Sequence, residues 1–230
     1  MSAATPVPAV PSERLGSTIA RTVRRNTWVL GLWLVLAGLL VFTKIIQPEY
    51  GPAGFAALAL AALPFAYATA GQTVAIIGGG LDLSIAAQMA LVSVIAATLM
   101  DGQSEEFAVL AVAIVLLAGA LIGAVNGLTI VLTRIPDIVV TLAFFFIWEG
   151  AALLVMSSPG GDAARWLKDL ILGTIGGAFI PAEISQWLPK ALLLLLITLG
   201  AVWVPLRRSR LGRWIYAIGS NRQAAFRSGV

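Results

Sequence analysis

Apolar residues dominate this chain in long windows, at about 28–46, 53–77, 83–100, 107–133, 138–156 and 189–206. A helix crossing a bilayer needs about 20 largely apolar residues. The pattern therefore predicts an all-α polytopic membrane protein with about six transmembrane helices. Short polar or glycine-proline breaks separate the windows: Gln47-Pro-Glu-Tyr-Gly-Pro52, Gly78-Gly79-Gly80, the acidic stretch 101–106 and Arg134-Ile-Pro136-Asp137. Pro64 lies inside the second window, where it removes one backbone hydrogen bond and favours a kink.

The stretch 157–188 breaks the rhythm. Its middle part, 170–182, is too short to span and holds Gly173, Gly176 and Gly177, so it reads as a re-entrant or surface segment. Residues 1–27 are rich in Pro, Ala and Ser and basic, which predicts a disordered cytoplasmic tail. From 207 onward the chain is basic again and closes on a short polar segment, 221–230, read as a docking surface for a soluble partner.

Composition sharpens the class. Of the 230 residues 59% are hydrophobic and 11% charged, against roughly 25% charged in soluble domains. The chain has no Cys and no His, which excludes disulfides, thiolate or zinc-hydrolase sites and Ser/His/Asp catalysis. No cofactor and no enzyme active site are expected on it. The net charge of +4 does not point to nucleic acid, because the basic residues sit between the apolar windows.

With six spans and the N-terminus inside, the inner side holds Arg14, Arg21, Arg24, Arg25, Arg134, Arg207, Arg208, Arg210, Arg213, Arg222 and Arg227. The outer side holds Lys44, Arg165, Lys168 and Lys190. That bias of 11 to 4 predicts that both termini are cytoplasmic.

Several residues stand out within the oily background. Three glycines at 78–80 break a helix, and Asp82 is placed to cap the one that restarts near Ser84. This stretch reads either as a tight turn or as a broken-helix lining of a pathway. Asn126 reads first as helix–helix glue. Glu149 lies half-way along its window, where an acid costs roughly 2.5–3.5 kcal/mol on insertion scales. It is therefore expected to face a bundle interior or a wet pathway or to be protonated, the other reading being a structural hydrogen bond to a Trp or Ser of a neighbouring helix. Asp82, Ser84, Asn126 and Glu149 are the candidate translocation-pathway residues. Gly119, Gly123 and Gly127 share one helix face and are expected to pack closely against another helix. On a helical wheel Ala224, Ala225, Ser228 and Gly229 form one smooth face suited to close approach of protein, with Asn221 as N-cap.

Three of these stretches resemble a known family in matching order. Gly71-Gln-Thr-Val-Ala-Ile-Ile-Gly-Gly-Gly-Leu-Asp-Leu-Ser84 is similar to the glycine-rich stretch of the ribose-type permeases of bacterial ABC importers. Gly123-Ala-Val-Asn-Gly127, with Arg134-Ile-Pro136 and Val139-Val-Thr-Leu142, resembles that family's next signature. The run from Leu211 to Val230 looks like its cytoplasmic coupling segment.

The resemblance implies a permease subunit for a sugar, in the inner membrane, paired with a second permease subunit. Cytoplasmic ABC ATPases would bind the ATP, and a periplasmic sugar-binding protein would deliver the solute. Asn221, Ala224, Ala225, Ser228 and Gly229 would then contact the ATPase. No Gly-x-x-x-x-Gly-Lys-Ser/Thr run occurs in the chain itself. Members of the family usually continue for several more spans past the Ser-Gly-Val position, so the sequence reads as a truncated, split or degenerate copy. The family also often carries Arg-Gly where this chain has Glu149-Gly150. Two other readings stay open: a non-transporting pseudo-permease or membrane scaffold, and an ion-coupled secondary transporter using Asp82 and Glu149.

Overall fold

A computed structural model describes residues 27–176 and 180–230. The basic tail expected over 1–27 lies outside them except for Thr27, as does Gly177. The chain divides into two compact units, residues 1–51 and 52–230.

The described part of the first unit is one helix, α1 (Thr27–Ile46). It is apolar on all sides and buries no residue within its unit, as a helix surrounded by lipid or by protein must be. Its end is tied down by Lys44, whose Nζ donates to the carbonyls of Pro48 and Tyr50 at 2.5 and 2.7 Å.

The second unit comprises α2 (Pro52–Ile77), α3 (Ile85–Met100), α4 (Glu105–Thr133), α5 (Asp137–Val155), α6 (Arg165–Ile171), α7 (Ala182–Ser185), α8 (Lys190–Arg208), α9 (Arg210–Ser220) and α10 (Arg222–Arg227). Among the described residues of the whole chain, five helices are long and apolar enough to cross a membrane: α1, α2, α4, α5 and α8. The sixth expected span is shorter. α3 has 16 residues, or roughly 24 Å of helix at 1.5 Å per residue, against a hydrocarbon core of about 30 Å. The non-helical stretch 78–84 precedes α3.

The helices of this unit pack in two groups. α3 lies between α4 and α5, and α2 lies against α8 with α9 folded over their ends. α3 and α5 run parallel, because Leu83 meets Thr141 and Leu91 clusters with Ile122 and Ala152 further along. At the opposite end Met100 packs with Ala108 and Ala111, covered by Ala163, Ala164, Trp166 and Leu167. The α2–α8 pair is joined in its interior by Tyr67 Oη and Thr198 Oγ1 at 2.6 Å, a polar bond of the kind that holds helices together where lipid offers no partner. Most large apolar side chains on the remaining surfaces face outward.

The 157–188 stretch forms a folded cap with no long helix among its described residues. Gly161 adopts a φ of +78°, and a Cβ there would stand 2.8–2.9 Å from atoms of Ala97. Glu105 receives the backbone N–H groups of Arg165 and Trp166 at 3.1 and 3.3 Å, so the acidic loop caps α6. Asp162 pairs with Lys168. The hydrogen bond from Lys168, then that from the Ala163 N–H, hold the Asp162 carboxyl below the usual carboxylate range. An antiparallel bridge joins Thr174 to Pro189.

Candidate functional site

The stretch 78–84 begins as a helix terminus and ends inside a polar cluster. Gly80 N–H donates to the Ala75 carbonyl at 2.9 Å and Gly79 N–H to that of Ile76 at 3.0 Å, with Gly79 at a φ of +83°. This is the Schellman arrangement, in which the left-handed residue is glycine because a side chain is strained at that positive φ. The chain then runs without helical hydrogen bonds as far as Ser84.

In a membrane protein such backbone is tolerated where it is buried in protein or lines a water-filled cavity, and here side chains supply its partners. The N–H of Leu81 donates to Asp137 Oδ2, that of Leu83 to Thr141 Oγ1 at 3.1 Å, and that of Ser84 to Asp82 Oδ1 at 2.8 Å. The amide of Gln72, oriented to satisfy both, spans the backbone of Asp82 at 3.0 and 3.2 Å.

The side chains are linked in turn. Ser84 Oγ donates to Asp82 Oδ1 at 2.5 Å. Gln88 Nε2 reaches Asp82 Oδ2 at 2.9 Å and Ser84 Oγ at 2.7 Å. Asn126 Nδ2 donates to Ser84 Oγ at 2.7 Å, and Trp148 Nε1 donates to Asn126 Oδ1 at 3.0 Å. The indole also stacks on Phe144, with ring centroids 5.4 Å apart. One network therefore joins α2, the turn, α3, α4 and α5.

This arrangement brings Ser84, Asn126 and Asp82, three of the four candidate pathway residues, into one cluster. Ser84 is 0% and Asn126 3% exposed, so both are enclosed by their neighbours in this chain. Both carboxylate oxygens of Asp82 are taken by neighbours. The three residues brace a broken helix.

The end of the unit that carries this turn also carries the loop between α4 and α5 and the junction of α9 with α10. Between them lies a polar groove of about 800 Å³, bordered by Gly79, Arg134, Asp137, Ser220, Asn221 and Arg222. Ser209 caps α9, its Oγ accepting the Gly212 N–H at 3.0 Å. Asn221 caps α10, its Oδ1 accepting the Ala224 N–H at 3.0 Å.

The smooth face expected over 224–229 is not one continuous surface. α10 ends at Arg227, and Gly229 has a φ of +82°, so the helical wheel does not extend to it. Ala225 is 5% exposed because α10 folds back on α9. The outward groups are Ala224, Ser228, Gly229 and above all Phe226, which is 80% exposed.

The family model described as the permease component of branched-chain amino acid transport systems matches residues 54–230. The chain belongs to this permease family. Similar curated permeases include the ribose import permease protein RbsC of Escherichia coli (strain K12), 32% identical over 162 residues, 70% of this chain and 48% of that protein. The D-allose transport system permease protein AlsC of the same strain is 33% identical over 162 residues, covering 70% and 46%. The autoinducer 2 import system permease protein LsrD of Escherichia coli (strain K12 / DH10B) is 26% identical over 214 residues, covering 90% and 61%. The chain spans about half the length of the first two of these permeases. No solved structure matches it.

The other residues singled out in this permease sequence lie apart from the network. Glu149 is exposed on α5, without a hydrogen-bond partner among the described residues, so within this chain it does not face the bundle interior. Of the glycine ridge on α4, only Gly119 meets a neighbour, Val92 of α3 at 3.7 Å from the place of a Cβ. The corresponding positions at Gly123 and Gly127 have nothing within 4 Å. The expected close packing is therefore not made by those two inside the chain. Between α2, α3 and α4 lies a cavity of about 400 Å³, mostly apolar, with Pro64, Tyr67, Met89, Ser93 and Val115 on its walls.

Gln72, Gln88, Asp137, Thr141 and Trp148 are network members that the sequence reading did not single out. For Gln72, Gln88 and Thr141 the available signal was their rarity as polar groups in oily windows. Gln88 also stands one turn after Ser84, the spacing that brings helical side chains together.

Proposed function

We propose that this chain is the membrane-spanning permease part of an ATP-driven importer for a monosaccharide-like solute in the bacterial inner membrane. Both ends lie on the cytoplasmic side, as the excess of Arg over the inner loops indicates. A separate ABC ATPase binds the ATP and docks on α9–α10. A second permease subunit, identical or related, completes the translocation pathway, and a periplasmic sugar-binding protein delivers the solute.

The observation that carries this reading is the match to the permease family across 54–230, which includes the basic, outward-facing α9–α10 hairpin. Relatives named for ribose, allose and autoinducer 2 import support a small polyhydroxylated solute. The surface offered to it is the α2–α3–α4 cavity with Tyr67 and Ser93, and the Asp82–Ser84–Asn126 network stands behind that surface. Contact with the ATPase runs through Phe226, Ala224, Ser228 and Gly229. Asn221 shapes the hairpin from within.

The same geometry weighs against ion coupling through Asp82 and Glu149. The first carboxylate is held in a hydrogen-bonded cluster and the second points away from the helices of its own chain.

The test is co-purification from membranes with the ABC ATPase of its transport system. The unmodified chain is expected to retain the ATPase, and Phe226→Asp to lose it while still inserting in the membrane. Equal retention by both would contradict docking through α10.

A further inference from the structure

The last four carbonyls of a helix have no intrahelical partner. At the end of α2 the N–H groups of Gly78, Gly80 and Gly79 satisfy Val74, Ala75 and Ile76. The Ile77 carbonyl has no N–H donor among the described residues. What faces it is Gly219. A Cβ on Gly219 would stand 1.7 Å from the Ile77 oxygen, 2.9 Å from its carbonyl carbon and 3.4 Å from the Gly78 carbonyl carbon. The space of a side chain is thus filled by the carbonyl itself, in the approach of a Cα–H···O contact.

The contact is reinforced on both sides. The Cβ positions of Gly79 and Gly78 fall 3.7 Å from Gly219 Cα and 3.8 Å from Ile215 Cγ2. Two turns earlier on the same face of α9, Gly212 meets the end of α8 in the same manner, with the Leu206 oxygen 2.0 Å from the place of its Cβ. Neither meeting of backbones leaves room for a side chain. Beyond Gly219 come Ser220, the capping Asn221 and α10. Beyond Gly78 come Asp82, Ser84 and their network.

We propose that Gly219 is the positioning residue that transmits displacement of the α9–α10 hairpin to the 78–84 turn. With backbone set against backbone, no flexible side chain takes up the motion. The turn is the joint between the α2–α8 group and the α3–α4–α5 group, so a push on α10 shifts one group against the other. The inference rests on the reading of α9–α10 as the ATPase-docking hairpin.

The test is amide hydrogen exchange at Leu81, Leu83 and Ser84 in the full chain in lipid nanodiscs, alone and bound to its ATPase. For the chain alone, Gly219→Ala is expected to speed exchange at these amides at least tenfold, and Gly123→Ala, with open space around it, to leave it unchanged. In the complex, ATP is expected to change exchange at these amides at least threefold for the unmodified protein. With Gly219→Ala the ATPase should still bind and hydrolyse ATP, but the change should vanish.

A Gly78→Cys/Ile215→Cys disulfide, on a chain with no other cysteine, should preserve the ATP-driven change if the two segments move as one body. Unaltered exchange in Gly219→Ala, a persisting ATP response in it, or a response abolished by the disulfide and restored by reduction would each overturn the proposal. Failure of the unmodified chain to bind the ATPase would instead contradict the docking reading on which transmission rests.

Discussion

Asn126 Nδ2 donates to Ser84 Oγ at 2.7 Å, from the middle of α4 to the residue that restarts a broken helix. Both side chains are almost wholly buried. Around this bond the chain solves the problem that three consecutive glycines create in an apolar setting. Every N–H that the break releases over 81–84 finds a side chain or an amide of a neighbouring helix.

Removing that bond leaves polar groups without partners. Asn126→Leu is expected to destabilise the chain by about 1–3 kcal/mol, because the buried Asn126–Ser84 bond is lost and the half-buried Trp148 indole N–H loses its acceptor. Unfolding in mixed micelles would show it. A cycle with Ser84→Ala should give a coupling energy clearly above zero. Additive losses would mean that the two residues act independently.

Glycine substitutions should separate by their surroundings. Gly161→Ala meets both a positive φ and the Ala97 backbone, so a loss of about 2 kcal/mol or more is expected. Gly123→Ala enters open space on a helix face and should stabilise the isolated chain by up to about 1 kcal/mol through helix propensity. Thermal denaturation of the two variants side by side provides the comparison.

Glu149 is exposed and has no hydrogen-bond partner among the described residues, so its replacement is expected to leave the packing of those residues unchanged. Glu149→Leu is expected to make insertion of the α5 segment more favourable by roughly 2–3 kcal/mol, read from the inserted fraction in a translocation assay. A drop in stability of the isolated chain on this change would reveal an internal partner.

The Asp162–Lys168 pair gives a pH signature with a definite sign. The folded carboxyl titrates below the ordinary aspartate value of 3.8, so the unfolded chain binds the proton more readily. The contribution is fully present above that value and is lost as pH falls through the lower folded pKa. Asp162→Asn should remove this acid dependence from unfolding curves recorded below about pH 4.

Much of this architecture was legible in the sequence. The apolar windows carried the helices, and Gly78-Gly79-Gly80 carried the break. Asn221 was recognisable as a cap from its place before a short polar run. The surroundings of single residues were less legible, because they depend on which helices become neighbours. Nothing in the sequence shows that Ser84 and Asn126 meet, because their hydrogen bond depends on the packing of α3 against α4. Ala225 and Ser228 share a wheel face, but α10 stops at Arg227 and folds on α9, which buries the first and exposes the second. Gly219 carried no local signal, since its close approach is to a carbonyl 142 residues earlier in the chain.

The central claim is that an ABC ATPase drives solute movement through this permease by way of α9–α10. The most direct measurement is ATP-dependent uptake of radiolabelled D-ribose, D-allose and autoinducer 2 into proteoliposomes. They would hold the chain with its ATPase, its companion permease subunit and its binding protein. Uptake of at least one of these solutes that needs ATP and falls at least tenfold with Phe226→Asp is the predicted result. Uptake that proceeds without ATP on an ion gradient alone, or that is indifferent to Phe226→Asp, would contradict it.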